Sequence, residues 1–517
     1  MEARAHRTGR LLSPVAHPEI GDGYVGRADV VVVGSGAGGA AAAKELAEAG
    51  LSVAVLEEGP YVTSEAFDAP PWERFTRLCR DGGMTVAVGK PLIPMPLGRA
   101  VGGTTLVNSG TCFRTPRKVL DEWGSAHGVP GLDAGTMDPI FERVEEVISV
   151  RPVPWELIGA NGLLVHKGAQ ALGLSGGPIL RNITDCHGCG QCAFGCPSDA
   201  KQAMHLSYLP RAERAGARLF TGVRAERVRV RARNGASPAV EATILDANDR
   251  PAGRARFEAK AVVVACGSIL TPLMLGRSGL ARGNRWLGRN LRIHPATTVV
   301  GQMDSEVQSW RGTLQSYYVD AGWESHDVML EATNPPPAIG VGALPGFGLP
   351  LLERAADYRR LALLGLLVSD TSTGRVRRGP GGTPFVSYRM NEHDLRNVLW
   401  GMALAAEILL AAGASEVWTG LPGADRVSSR EDLDRVRDGR FGPEHLKLSA
   451  YHPMGTARIG ADPAASVCDP FGRVHGAPGV WVLDASLFPT CLGVNPQVSI
   501  MAFATRGAWA LAEELAA

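Results

Sequence analysis

An α/β fold built on a parallel sheet, with a second domain inserted into it, is what this chain predicts, and three observations predict it. Asp29–Val33 (DVVVV) is a short run of four β-branched apolar residues after one aspartate, the mark of a strand buried on both faces. It passes through Gly34-Ser35-Gly36-Ala37-Gly38-Gly39 into an Ala-rich helical stretch that ends at Gly50. Leu51–Leu56 (LSVAVL) then reads as a second strand, so a β-α-β unit opens the fold. Further strand-like runs of the same kind, Ala261–Ala265 and Val480–Leu483, lie far downstream. Between those two runs, roughly over 300–445, lies a region of different character. It holds the apolar run Leu361–Val368 and one long helix that starts at the N-cap Asn391 and stops at Gly413.

Length and composition bound the rest. A chain of 517 residues exceeds what one hydrophobic core organises, so more than one domain is expected. With 45% hydrophobic and 20% charged residues it reads as an ordinary globular protein. A net charge of +1 argues for neither a nucleic-acid nor an anionic-membrane partner. The N-terminal stretch is basic but has no apolar core, so no secretory signal is read and a cytoplasmic location is expected. No uninterrupted apolar window is long enough for a membrane span. The nine cysteines are expected to be free thiols or metal ligands rather than a disulfide framework.

Gly34–Gly39 fits G-x-G-x-x-G in the right context, after a strand and at the start of a helix. Gly34 permits the tight turn, Gly36 lets the backbone approach a pyrophosphate, and Gly39 lets the helix pack close to the sheet. The helix N-terminus then faces the phosphates. Glu57, at the end of the second strand, is placed to accept from ribose hydroxyls. The motif alone does not separate NAD from FAD.

Three later blocks do. Gly98-Arg99-Ala100-Val101-Gly102-Gly103-Thr104-Thr105-Leu106-Val107-Asn108 is a second Gly-rich segment, and Gly267–Pro272 continuing to Ser278-Gly279-Leu280 is a third. The C-terminal block holds His452-Pro453-Met454-Gly455-Thr456, Asp484-Ala485-Ser486 and Asn495-Pro496. These stand in the order of the signatures of the glucose–methanol–choline (GMC) family of flavin oxidoreductases, which the chain resembles from Asp29 to about Ala512. The resemblance implies FAD as cofactor and a Rossmann-like FAD domain assembled from discontinuous segments. It also implies an α+β substrate domain on an antiparallel sheet that covers the flavin. The expected division is an arm over 1–27, an FAD domain over 28–300 with a Cys-rich insert at 185–201, a substrate domain over 301–445, and a return to the FAD domain over 446–517.

Flavin-dependent oxidation of an alcohol needs a base for the hydroxyl proton and a neutral partner for the oxygen. Histidine suits the first role and asparagine the second. The resemblance puts His452 in the base position and Asn495 in the partner position, as in the cholesterol oxidase, choline oxidase and long-chain alcohol oxidase branches. It also carries over Gly98, Gly103 and Asn108 as the segment that meets the flavin and Val223 as a backbone contact to adenine. Asp484 is carried over beside the ribityl–pyrophosphate region. Pro496, with Gln497, is carried over as the source of a backbone amide near the pyrimidine ring.

Asp185–Pro197 (DCHGCGQCAFGCP) sets Cys186, Cys189, Cys192 and Cys196 in the spacing C-x2-C-x2-C-x3-C-P. Four readings are compatible with it: an iron–sulfur cluster, 4Fe-4S or 3Fe-4S; zinc bound by four thiolates; a redox disulfide; and a turn segment with no ligand. The cluster reading makes the protein a dehydrogenase that hands electrons to an acceptor protein. Without a cluster, an oxygen-using oxidase or a lyase of the same family fits. The expected substrate is a fairly apolar alcohol, because no carboxylate cluster suggests a cation and Ile339–Leu352 is an apolar, loop-like stretch.

Overall fold

Val30–Val33 and Val53–Leu56 are almost wholly buried, as runs without polar alternation must be when helices cover both faces of a sheet. They belong to a seven-stranded sheet in a computed structural model that describes residues 20–230 and 238–517. Most of the expected N-terminal arm, residues 1–19, lies outside the described residues. The first strand, Tyr24–Val33, begins earlier than its apolar run because its polar half pairs with residues 255–259. Its neighbours are Val53–Glu57 on one side and the long strand Pro251–Val264 on the other, both parallel. Arg218–Thr221 extends the sheet beyond Val53–Glu57. Val480–Val482 runs parallel to the last residues of Pro251–Val264, and the first half of that strand continues into an antiparallel meander with Ala239–Leu245 and Val223–Arg229. Helices Ala37–Glu48 and Gln497–Ala516 pack on each other over one face.

The second sheet also has seven strands, all antiparallel, in the order Arg426–Val427, Glu416–Trp418, Ala296–Gln302, Leu361–Val368, Val328–Thr333, Gln315–Val319 and Gly176–Pro178. All eight residues of Leu361–Val368 are buried. Against this sheet packs helix Glu392–Ala412. The Asn391 side chain caps it by accepting from Asp394 N at 2.8 Å, and Gly413 ends it at φ +108°. By length and composition this helix could cross a membrane, but 72% of its most apolar window is buried within the protein, as in a core helix. A small four-stranded sheet, Arg375–Arg378, Pro384–Ser387, Val86–Val88 and Ile93–Pro94, flanks the junction of the two large ones. The GMC-type arrangement read from the sequence, a Rossmann-like sheet beside an antiparallel sheet domain, is the architecture found.

Ile339–Leu352 is not simply a loop. Pro337–Gly340 and Gly348–Ala356 are short helices, each begun by a residue whose conformation suits a helix start, and Phe347, Leu349 and Leu352 of this stretch are exposed.

Candidate functional site

Backbone crowding explains the first glycine motif position by position. Gly34 has φ +102°, and a Cβ there would lie 2.4 Å from the Ala265 carbonyl oxygen. A Cβ on Gly38 would meet the Leu483 oxygen at 1.9 Å, and one on Gly39 the Gly34 oxygen at 1.9 Å. Gly36, by contrast, has only Gly103 Cα at 4.0 Å, so this turn is open on one side. That side is a cavity of about 1510 Å³, toward which the N-terminus of helix Ala37–Glu48 points its free N–H groups. Its size exceeds a pocket for one small molecule and suits a dinucleotide together with a substrate.

Gly34, Gly36, Glu57, Gly98, Gly103, Asn108, Val223, Asp484 and Pro496 all line this cavity, and so do His452 and Asn495. Gly39 stands behind it as a packing residue. The second glycine segment is tied to the first by Gly102 N, which donates to Ser35 Oγ at 3.0 Å. Glu57 is more occupied than expected of a ribose acceptor. Its carboxylate accepts from Ser35 N (3.0 Å), Ser35 Oγ (2.6 Å) and Gly59 N (2.8 Å), so it also braces the turn. Asp484 similarly accepts from Gly267 N (2.9 Å), Thr271 Oγ1 (2.6 Å) and Ser486 N (2.7 Å), which fixes the start of helix Gly267–Arg277 beside the cavity. Val223 opens the strand Val223–Arg229 at the cavity wall. An open glycine turn, an aimed helix end and these walls fit an FAD molecule.

His452 is held by a residue that the sequence did not single out. His294 Nδ1 lies 3.1 Å from His452 Nδ1, and Gly493 N donates to His294 Nε2 at 2.7 Å. Burial lowers His452 to about 4 and, with the neighbouring His452, holds His294 well below the ordinary range, so both rings are neutral near pH 7. His294 accepts at Nε2 and therefore carries its proton on Nδ1, which it donates to His452. The His452 proton then sits on Nε2. At rest the ring can offer a donor, whereas the sequence assigned it the role of base. His294 itself is left-handed at φ +49°, and the buried Asp370 carboxylate pins it by accepting from Ile293 N and His294 N.

A second unanticipated residue is Glu331, on strand Val328–Thr333. Its Oε2 accepts from Gln315 Nε2 at 2.6 Å, its Oε1 has no hydrogen bond of good geometry, and the Oδ1 of Asn495 has no protein partner. Burial raises this carboxyl to about 7, against the opposing effects of a weak hydrogen bond from the Asn495 side chain and of the Arg181 charge. Glu331, Gln315, Asn495 and His452 share the cavity wall.

The cysteine loop differs from its expectation. Among the described residues no group of three or more His, Cys, Asp or Glu side chains is placed to hold a metal ion, and all nine cysteines are free. The placement of Cys186, Cys189, Cys192 and Cys196 thus lends no support to the expected iron–sulfur cluster or to a zinc site. Cys192 Sγ is buried and accepts from Arg181 Nη2 at 3.1 Å, Cys196 Sγ accepts from Lys201 N at 3.4 Å, and Cys186 Sγ accepts from Gly188 N at 3.4 Å, while Cys189 is exposed. Burial raises the Cys192 thiol, but the charges of Arg181 and Lys201 outweigh it and hold the group below the ordinary thiol range. Lys201 Nζ also reaches Cys192 O (2.8 Å), Leu106 O (3.0 Å) and Asn108 O (2.7 Å). Asn108 Nδ2 donates to Gln497 Oε1 at 2.9 Å. The loop is therefore part of the scaffold that fixes the Asn108 segment and the start of helix Gln497–Ala516.

Comparison with known proteins gives the same answer from sequence and fold. The family model described as GMC oxidoreductase matches residues 75–296 and 370–504, and an FAD binding domain model matches 29–69. A GMC-type oxidoreductase of Mycobacterium tuberculosis is 45% identical over 93% of this chain and 75% of its own length. A long-chain-alcohol oxidase of Arabidopsis thaliana is 30% identical over 98% of this chain and 70% of its own. Among solved structures, pyridoxine 4-oxidase from Mesorbium loti superposes with a TM-score of 0.71 at 18% identity, over 93% of this chain and 98% of that one.

Proposed function

The chain belongs to the GMC oxidoreductase family and is an FAD-dependent oxidoreductase of the alcohol-oxidising kind, and we propose that it oxidises an apolar primary or secondary alcohol with Glu331 as proton acceptor. One observation carries this reading. His452, Asn495 and the half-partnered Glu331 meet on one cavity whose neighbouring walls, Ile339, Leu366 and Leu367 among them, are apolar. His452 Nε2–H and the Asn495 amide hold the substrate oxygen. The ionised Glu331 carboxylate takes the hydroxyl proton as the carbinol hydrogen leaves as hydride and the carbonyl forms. FAD, when bound, supplies the hydride acceptor.

For the electrons that follow, we take dioxygen as the acceptor. Relatives from Arabidopsis thaliana and Arthrobacter globiformis are named as oxidases, which supports this choice. An apolar substrate is supported by the cavity walls and by the long-chain-alcohol oxidase relatives.

The test is anaerobic mixing of the FAD-loaded protein with a series of straight-chain alcohols, followed by admission of oxygen. Bleaching of the flavin that grows faster with chain length, then stoichiometric peroxide, is expected. His452→Ala is expected to abolish bleaching while retaining FAD. A flavin that no alcohol bleaches refutes the reading.

A further inference from the structure

The net charge of +1 conceals a local imbalance at the mouth of the cavity. The four-stranded sheet there turns Ala87, Ile93, Val376 and Val386 into the core. The two-residue alternation of its strands therefore sends Val88, Arg375, Arg377 and Phe385 outward on a common face. Arg377 pairs with Phe385 across the ladder, its guanidinium 5.5 Å from the ring centre. Segments 84–99 and 375–391, which carry this sheet, contain Lys90, Arg99, Arg375, Arg377, Arg378 and Arg389 and no Asp or Glu. Arg99 is paired with Asp249, but the other five make no ion pair among the described residues. The nearest exposed acids along the chain are Asp81 and Glu392. Leu92, Arg378 and residues 381–384 line the cavity itself, so the sheet is part of its rim.

Exposed apolar side chains also adjoin residues that line the cavity. Met84 and Leu92 are exposed, and so are Phe347 (88%), Leu349 and Leu352, which follow the cavity-lining Gly342 and Ala343. Water is a poor environment for such side chains, and symmetric pairing with a second copy would set the row of cations against itself. A bilayer with anionic headgroups matches both features. Its phosphates meet guanidinium and ammonium groups, and its interface takes the apolar side chains.

We infer that the cavity mouth docks on an anionic lipid bilayer. An apolar alcohol then passes from the membrane into the cavity without crossing water, a consequence that rests on the alcohol chemistry proposed above.

The FAD-loaded full chain is sedimented with vesicles of phosphatidylcholine alone or mixed with phosphatidylglycerol. Binding only to the anionic vesicles, released by salt, is expected. The triple variant Lys90→Gln/Arg375→Gln/Arg377→Gln is expected to bind about fivefold more weakly per lost cation, on the order of a hundredfold in all. Phe347→Ser/Leu349→Ser is expected to weaken it further. Both variants are expected to keep wild-type flavin bleaching by a short, water-soluble alcohol, which also shows that they are folded. Three outcomes would overturn the inference: no pelleting with either vesicle, equal pelleting with both, or a dimer that the same substitutions dissociate. Vesicle binding is read without turnover, so its failure is distinct from a failure of the alcohol chemistry.

Discussion

Replacing Glu331 by Gln is expected to separate stability from activity. The folded protein holds this carboxyl at about 7 against an ordinary value of 4.5, chiefly because it is buried. Between those values the unfolded chain has released the proton and the folded chain still binds it. Stability therefore falls as pH rises through that window, by about 3 kcal/mol in all at 1.36 kcal/mol per unit. Gln does not titrate. Its amide can accept from Gln315 and donate to the unpartnered Asn495 Oδ1. The variant is thus expected to match wild type near pH 4.5 and to be more stable by up to about 3 kcal/mol at pH 8, as measured by denaturant unfolding of the FAD-loaded protein at both pH values. Its flavin reduction by alcohol is expected to fall by roughly 10²–10⁴-fold, the range for loss of a general base. The rise in wild-type rate as pH passes about 7 should disappear with it. Stopped-flow reduction from about pH 5 to 9 reads both effects. Wild-type rates with an unchanged pH profile would refute Glu331 as the proton acceptor, and a variant less stable than wild type at pH 8 would refute the electrostatic account of its burial.

Two more outcomes follow from packing and charge. Gly38→Ala puts a Cβ 1.9 Å from the Leu483 carbonyl oxygen, backbone against backbone, so the protein is expected to lose FAD on gel filtration even where it remains folded by circular dichroism. Cys192→Ala removes the sulfur that accepts from the buried Arg181 Nη2, and it is expected to cost about 1–3 kcal/mol in denaturant unfolding, the range for a buried charged donor left without its partner; no loss of stability would show that the contact contributes nothing.

What the sequence shows of this molecule follows from the range of the forces involved. The glycine turn was legible because Gly34, Gly38 and Gly39 each answer to a close backbone contact and Gly36 leaves the turn open on the cavity side. The helix from Asn391 to Gly413 was legible because its cap and stop are local chemistry. His294 and Glu331 were not, since nothing in RIHP or LEATN marks them. One acquires meaning from Gly493 and His452, the other from Gln315 and Asn495, all brought together by the two sheets. The cysteine spacing likewise depends for its meaning on surroundings that are distant in sequence. Four sulfurs in eleven residues suggest a cage, but the partners that take them up include Arg181 and Lys201, whose role beside Cys192 is visible only in three dimensions. Net charge likewise averaged away two segments of the rim, 84–99 and 375–391, that hold no acid.

The contact between Gly38 and Leu483 also sets an order of events during synthesis. The turn that cradles the dinucleotide is made well before its packing partner and the strand Val480–Val482, which follow more than four hundred residues later. Until then the sheet lacks a neighbour along the end of Pro251–Val264, and the glycine helix has no backbone to rest on. A nascent chain therefore carries an open apolar edge from the synthesis of Val264 until Val480–Val482 is made, and the cofactor's cradle closes only then.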